Sequence, residues 1–408
     1  MQKMNSQTMK QNNVETVFDA IAANAPVSRS SLTKIIGLTP ATITNLVNEM
    51  LERGILLEVG REKNDGLGRR PVLIDVNPDA FFTVGAEINA DRTVAIVCDA
   101  KSTIRTVYSR SISPVLGKDT ILHCLATTIR RAIEQAGVSE SDILGIGVAA
   151  PGPLDTQTGV MINPPNFPGW KNVPLKDWLE NEMKLPVCCD KETNLAALAE
   201  YHAINNAEVK TLFAMNLYKL GVGGGLVCSG NIFHGFHDSA SEVGHMTVDM
   251  NGPRCSCGNY GCLETLVSGE AIVNEVKRNL KTLSALSRDR AENVDELTIE
   301  DVLLLSEQGD ELCSSIVDKA ARNIAVAVGN VINMYSPEVI VLGGTLAGLS
   351  KGLVRKVADY AHCRDYPVHC KDIKICCTTL GDKACALGAA SMAAEIFLNK
   401  TLSGSKSE

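Results

Sequence analysis

Residues 241–264 read SEVGHMTVDMNGPRCSCGNYGCLE. One imidazole and three thiols, from His245, Cys255, Cys257 and Cys262, are the donor set of a closed structural zinc site. Four such ligands complete a tetrahedron, so no position remains for a metal-bound water. Gly258 and Gly261 flank the tight turns that let closely spaced cysteines face one ion. The competing reading, three core cysteines and a satisfied histidine, leaves this density of donors unexplained. C-x-C also lacks the C-x-x-C spacing of a thioredoxin-like redox pair. Glu242 stands three residues before His245, and Glu264 two after Cys262. Two carboxylates on a metal-braced loop suit a ligand with many neutral hydroxyls, each able to donate to an oxygen. A sugar is such a ligand; the alternative is that both are surface charges.

The elements that position this segment belong to a long chain. At 408 residues it exceeds one ordinary core, so two or three domains are expected. With 45% hydrophobic and 21% charged residues, it is globular rather than disordered. The polar N-terminus lacks the apolar core of a signal peptide, and no apolar run approaches a membrane span. Fourteen cysteines in such a chain read as reduced thiols plus the metal site, which places it in the cytoplasm with no membrane partner. The net charge is −8, but residues 1–71 carry +2 and the remaining 337 carry −10. A small, mildly basic module therefore precedes an acidic body.

Within that module, Val14, Val17, Phe18 and Ile21 have helical spacing. Residues 28–54 (SRSSLTKIIGLTPATITNLVNEMLERG) then read as helix, glycine turn, helix. Leu32, Ile35 and Ile36 form the apolar face of the first helix. In the second, Thr39 is the N-cap, Pro40 takes the first helical position, and Ile43, Leu46, Val47 and Met50 form the buried stripe. Ala41, Thr42, Thr44 and Asn45 face outward, small and polar, as a recognition helix in a major groove requires. Ser28 and Arg29 at the start of the helix pair, with Thr39, complete the expected DNA contacts from the helices. Residues 55–60 (ILLEVG) and 70–76 (RPVLIDV) read as strands joined by a Gly-rich tip. That is a wing, whose Arg69 and Arg70 are placed to reach a minor groove. The competing reading is a protein-interaction module.

After Asn77-Pro78 the pattern becomes α/β and occurs twice. Residues 83–104 and 211–232 share a strand–turn–strand–turn–strand layout, and each half later has a strand running into a glycine turn, at 143–153 and 339–348. A duplicated two-lobe α/β fold with a ligand cleft between the lobes accounts for this. The expected division is 1–77, a winged helix-turn-helix; 78–205, a first lobe; 206–395, a second lobe with the zinc segment and a returning C-terminal helix; and 396–408, a flexible tail.

Residues 242–245 (EVGH) followed by 255–264 (CSCGNYGCLE) resemble the signature of the ROK family, named for repressors, open reading frames and kinases. Residues 163–170 (NPPNFPGW), 191–200 (KETNLAALAE) and the two glycine turns fit the same family, and the N-terminal module is similar to its repressor branch, with its xylose-repressor-like and N-acetylglucosamine-repressor-like members. The resemblance implies an actin-like, sugar-kinase-type (ribonuclease-H-like) fold with a monosaccharide in the cleft. It also implies a homodimer or homotetramer, binding to double-stranded operator DNA, and control by the sugar or by a protein antagonist. The implied sugar contacts are Asn166, Glu192, Glu242, His245 and Glu264, with His245 serving both zinc and sugar.

Kinases of the family carry a D-x-G-G-T phosphate loop where this chain has Glu87-Ile88-Asn89-Ala90-Asp91. The glycines are gone and Asp91 puts negative charge where phosphates would sit, so ATP is not expected. The second loop, G-T-G-x-G in kinases, reads Lys219-Leu220-Gly221-Val222-Gly223, and the glycine run 221–225 is expected to make a tight strand turn. The catalytic Asp of N-D-x-N is Glu192 here, and Lys191 replaces the Asn. A sugar-responsive regulator without phosphoryl-transfer chemistry is therefore the expected function. The alternatives are a sugar kinase with an accessory DNA-binding module, and a regulator that senses zinc.

Overall fold

A computed structural model describes residues 6–61, 70–204, 206, 208–283, 295–363 and 370–402. The N-terminal elements are helix α1 (Ser6–Asn24), strand β1 (Val27–Ser28), helices α2 (Arg29–Ile36) and α3 (Pro40–Glu52), and strands β2 (Leu56–Arg61) and β3 (Val72–Val76). Ser28 caps α2 by accepting from the Ser31 backbone N–H, and Gly37, at φ 78°, ends it. Thr39 caps α3 by accepting from Thr42, with Pro40 following. Strands pair in the order β1-β3-β2, so β2 and β3 form an antiparallel hairpin beside the helices. The core of this region gathers Val17, Ile21, Leu32, Ile43, Val47, Met50 and Ile74. Ile35 does not join it; it is 52% exposed, because on the short α2 only Leu32 points fully inward.

The body holds two sheets of the same topology. The first uses β4 (Phe82–Ile88), β5 (Arg92–Asp99), β6 (Ile104–Ser111), β7 (Ile143–Ala150) and, after the small hairpin set β8 (Leu154–Asp155), β9 (Val160–Met161) and β10 (Val173–Pro174), β11 (Val187–Lys191). Its order is β11-β7-β4-β5-β6. The second uses β12 (Thr211–Leu217), β13 (Val222–Cys228), β14 (Asn231–Ile232), β15 (Val339–Gly343) and β16 (Lys374–Cys377), in the order β14-β13-β12-β15-β16. In each, three strands form an antiparallel meander and two more add in parallel.

Helices α4 (Lys118–Ala136) and α5 (Leu175–Met183) belong to the first half, and α6 (Glu192–Ile204) follows β11 without a loop. The second half adds α7 (Glu264–Val267), α8 (Gly269–Leu283), α9 (Ile299–Glu307), α10 (Glu311–Tyr335), α11 (Gly344–Leu349), α12 (Lys351–His362) and α13 (Ala384–Leu402). Period-2 alternation sends Val84, Ala86 and Ile88 of β4 toward the core formed with α4. The opposite face carries Gly85 and Gly147, where a Cβ would overlap the carbonyls of Ala386 and Ala389. Helix α13 is thus pressed onto the first sheet by its missing side chains. On the second sheet, Gly223 and Gly225 lie within β13 and give the same close approach to Thr193 at the start of α6. They are strand residues, and the turn itself is Tyr218–Gly221, closed by the Tyr218 N–H donating to the Gly221 carbonyl. Gly388 meets the Leu195 carbonyl, so α6 and α13 fill the space between the sheets in mutual contact.

The expected flexible tail from residue 396 is corrected: α13 continues to Leu402. Phe397 lies over Gly145, and Leu398 enters the N-terminal core. The Arg53 guanidinium, at the end of α3, donates to the Thr401 carbonyl at 2.7 Å. One helix therefore runs from the space between the sheets into the N-terminal module.

Candidate functional site

His245 ends a 3₁₀ turn, Val243–His245, and the three cysteines follow on a short looped hairpin bridged at Thr247–Cys262 and Arg254–Tyr260. Gly258 (φ 96°) and Gly261 (φ 63°) take left-handed conformations that side chains disfavour, and at Gly261 a Cβ would overlap the Asp249 carbonyl. One donor atom from each of His245, Cys255, Cys257 and Cys262 lies within 4.8 Å of the others. Cys257 Sγ and Cys262 Sγ are 3.7 Å apart, and Cys255 Sγ is 3.6 Å from His245 Nδ1. A tetrahedral ion with arms of about 2.3 Å has edges of about 3.8 Å, whereas a disulfide requires about 2.05 Å. The donors fit one metal ion. Burial and the neighbouring thiols push Cys262 up to about 12, so ionising it calls for a cation among the sulfurs.

The carboxylates flank this brace. Glu264 opens α7 and accepts from the Val222 N–H at 3.3 Å; burial raises its pKa. His245 and Glu242 both act on it electrostatically, which puts the three together. Glu242 is paired with Lys191: Nζ donates to Oε1 at 2.8 Å and to the Ala240 carbonyl at 3.1 Å. Next to it, Glu192 opens α6. Desolvation is the main cause that pushes Glu192 up to about 8, and its Oε2 is sealed from solvent without a partner among the described residues. Asp190 organises the turn into α6, accepting from the Lys191 N–H and the Asn194 side chain, while His234 Nε2 lies 2.7 Å from its Oδ2. That bond raises the His234 pKa. Four of the five expected sugar contacts thus form one group. Asn166 is exposed on the turn anchored by buried Phe167 and Trp170, and no contact among the described residues joins it to the other four.

Behind this wall lies a cavity of about 190 Å³ between the sheets, lined by Glu87, Asp91, Arg92, Asn216, Lys219 and Asp382 among others. Strands β4 and β5, the turn at Tyr218–Lys219 and the start of α13 all contribute to its walls. Glu87 and Asn216 are the sixth residues of β4 and β12, the same place in each repeat. Both are buried, and Glu87 Oε2 and Asn216 Nδ2 have no partner among the described residues. Burial pushes Glu87 up to about 7. Arg92 Nη1 bonds Asp382 Oδ2 at 2.8 Å, linking β5 to the turn before α13.

On the N-terminal module, Ser28 is corrected: it is 2% exposed and spent as a helix cap, so it faces no ligand. Arg29 donates to the Asn48 side chain at 2.9 Å and lies 3.7 Å from Glu58. The Thr42 hydroxyl pairs with Thr39, and that of Thr44 donates to the Pro40 carbonyl. Ala41, Thr44, Asn45 and Arg70 are exposed on one module, while Arg69 lies outside the described residues. Sequence reasoning missed the Lys191–Glu242 and Arg92–Asp382 pairs and the cavity role of Asn216. Only the last left a trace, its equivalence to Glu87 in the repeat.

The sequence profile described as "ROK family" matches residues 83–396. A xylose repressor of Caldicellulosiruptor bescii is 29% identical over 390 residues, covering 95% of this chain and 96% of that protein. A glucokinase of Halalkalibacterium halodurans is 35% identical over 255 residues, covering 61% of this chain and 76% of that one. A solved ROK family transcriptional regulator, described as a homologue of the E. coli MLC protein, superposes with a TM-score of 0.81 at 25% identity, over 97% of this chain and 98% of its own.

Proposed function

The chain belongs to the ROK family, and on that premise we propose that it is a sugar-responsive transcriptional repressor binding operator DNA through its N-terminal module. One observation carries this reading. A single chain joins an α2–α3 pair and hairpin to a cleft whose carboxylate wall is intact while its phosphate side is lined by Glu87, Asp91 and Asp382. The similarity to a xylose repressor spans that N-terminal module as well as the body.

In this reading α2–α3 and the β2–β3 hairpin are a winged helix-turn-helix. The exposed Ala41, Thr44 and Asn45, with Thr39 and Thr42 at the start of α3, face the major groove. Arg69 and Arg70 of the wing reach phosphates or the minor groove. A neutral monosaccharide lies against Glu192, Glu242, His245 and Glu264, with Asn166 closing from its loop. Zinc in the His/Cys3 site supplies rigidity and, through one ring nitrogen, fixes His245 so that the other faces the sugar. The sugar favours one lobe arrangement, and α13 carries it to the module through Leu398 and the Arg53–Thr401 bond. A homodimer or tetramer turns this into half-site spacing, and a protein antagonist acting on the same equilibrium and a cytoplasmic location belong to the same reading. The test is fluorescence anisotropy on DNA from upstream of its own gene: affinity of about 10⁻⁸ M or tighter, shifted at least tenfold by one sugar, is expected. Absence of binding to every upstream fragment, with and without sugars, would sink the reading.

The kinase alternative is favoured by the 35% identity to a glucokinase. It requires sugar-dependent ADP release that disappears in Glu192→Ala. Against it, Asn89 and Ala90 stand where the kinases' phosphate loop has its glycines, so the backbone N–H groups there cannot approach a phosphate closely.

A further inference from the structure

Lys191 ends β11 of the first sheet, whereas Ala240 and Glu242 lie between the second sheet and the metal site. Three links cross here. His234 bonds Asp190 at 2.7 Å, Asp238 accepts from the Thr156 N–H and hydroxyl at 2.9 and 3.0 Å, and Lys191 donates to Ala240 and Glu242. The lysine side chain is 6% exposed, and its stem lies against Gly152, where a Cβ would come within 3.0 Å of Lys191 Cδ. Its ammonium group is therefore fixed in place, while the Glu242 side chain remains half exposed to the cleft.

We propose that Lys191 is a specificity-determining residue which, paired with Glu242, restricts the effector to neutral sugars and reads the orientation of one hydroxyl. This rests on the sugar-sensor reading. The charge of Lys191 is balanced by Glu242, and the wall adds the carboxyl groups of Glu192 and Glu264. The other cation on this side, His234 when protonated, is held by Asp190. Among the described residues, no free positive charge remains on this wall for a phosphate or a sugar carboxylate. An ammonium donates three hydrogen bonds and accepts none, unlike the amide it replaces in the family pattern. Two of its protons are engaged, so one remains for a ligand oxygen. A hydroxyl placed between the two side chains accepts from Lys191 and donates to Glu242. Its epimer leaves both without a ligand partner, which discriminates strongly when polar groups are buried.

The test is calorimetric titration of the full-length, zinc-loaded protein with glucose, galactose, mannose, xylose, glucose 6-phosphate and glucuronate. At least one neutral aldose should bind tenfold or more tighter than either anion, and one epimer pair should differ by tenfold. Lys191→Asn should change that epimer ratio at least tenfold, while Lys191→Arg should keep the preference for neutral sugars. Glucose 6-phosphate or glucuronate binding as tightly as glucose, or Lys191→Asn leaving every ratio within twofold, would overturn the proposal. Should Lys191→Asn fail to fold, the anion comparison on the unaltered protein and on Lys191→Arg still decides it. If the neutral sugars bind but these ratios fail, only the role of Lys191 falls. If no probe binds the unaltered protein, the sensor reading falls and takes this inference with it.

Discussion

Beside the His/Cys metal site three carboxylates have partners: Glu264 accepts from Val222, Glu242 holds Lys191, and Asp190 holds His234. Around the cavity, Glu87 Oε2, Asn216 Nδ2 and Arg92 Nε are shut from solvent without a partner among the described residues, and so is Oε2 of Glu192, the wall residue next to Glu87. The cavity residues Glu87 and Asn216 stand at equivalent places in the duplicated strands, whereas Glu242, His245 and Glu264 come from the segment that follows β14. Each unmatched buried group costs about 1–3 kcal/mol. In the proposed reading the matched wall is the side that binds hydroxyls. In the same reading the cavity takes the place of a phosphate site, with Asn89 and Ala90 where its glycines would be, and burial pushes the Glu87 pKa up to about 7.

The strongest way to break this contrast is to remove the brace. Cys257→Ala takes one of four metal donors and leaves two buried thiols and an imidazole around a weakened site. Zinc content by mass spectrometry should fall from one per chain to below a tenth. Sugar affinity should fall a hundredfold or more, because Glu242 and Glu264 sit on either side of the loop that the metal ties. Stoichiometric zinc in this variant would show that the ligand assignment is wrong.

The next effect acts on the unmatched side. In the folded protein Glu87 and Glu192 hold their protons to about 7 and about 8, whereas a carboxyl in the unfolded chain releases its proton near 4.5. The folded state therefore binds more protons between those limits, and stability falls as pH rises from 4.5 toward 8. For each such carboxyl the loss is about 1.4 kcal/mol per pH unit across that window. Urea unfolding should give lower stability at pH 8 than at pH 5.5. The double variant Glu87→Gln/Glu192→Gln, which mimics the protonated acids, should flatten that slope. An unchanged slope would mean that the two groups are ionised in the fold.

What was legible in the sequence was local. The metal donors lie within eighteen residues, and α3 declared itself through the Thr39 cap, Pro40 and the stripe of Ile43, Leu46, Val47 and Met50. The duplication was legible because the strand–turn–strand rhythm recurs. What failed depended on partners far along the chain. Ser28 looked like an available hydroxyl, but the strand pairing of β1 with β3 buries it. The expectation of a flexible tail fails over residues 396–402 because Phe397 and Leu398 find their partners at Gly145 and in the N-terminal core. No local pattern announces that Arg92 and Asp382 meet, or that Lys191 reaches Glu242.

The Arg92–Asp382 pair offers the finest test of the contrast. Arg92 is partly exposed and Asp382 mostly so, which places the bond in well-screened surroundings. Asp382→Asn should therefore change stability by less than about 1 kcal/mol. Its informative effect is on Glu87. The Asp382 charge raises the Glu87 pKa, while Arg92 lowers it. Removing the aspartate eliminates the first influence and frees the guanidinium to act on Glu87. Glu87 should then release its proton at lower pH, and its part of the pH-dependent stability loss should move toward acid. Carbonyl NMR of labelled glutamate can follow that titration directly. An unmoved Glu87 midpoint would show that the cavity acids do not sense the ion pair at its rim, and that the two sides of the cleft differ in burial alone.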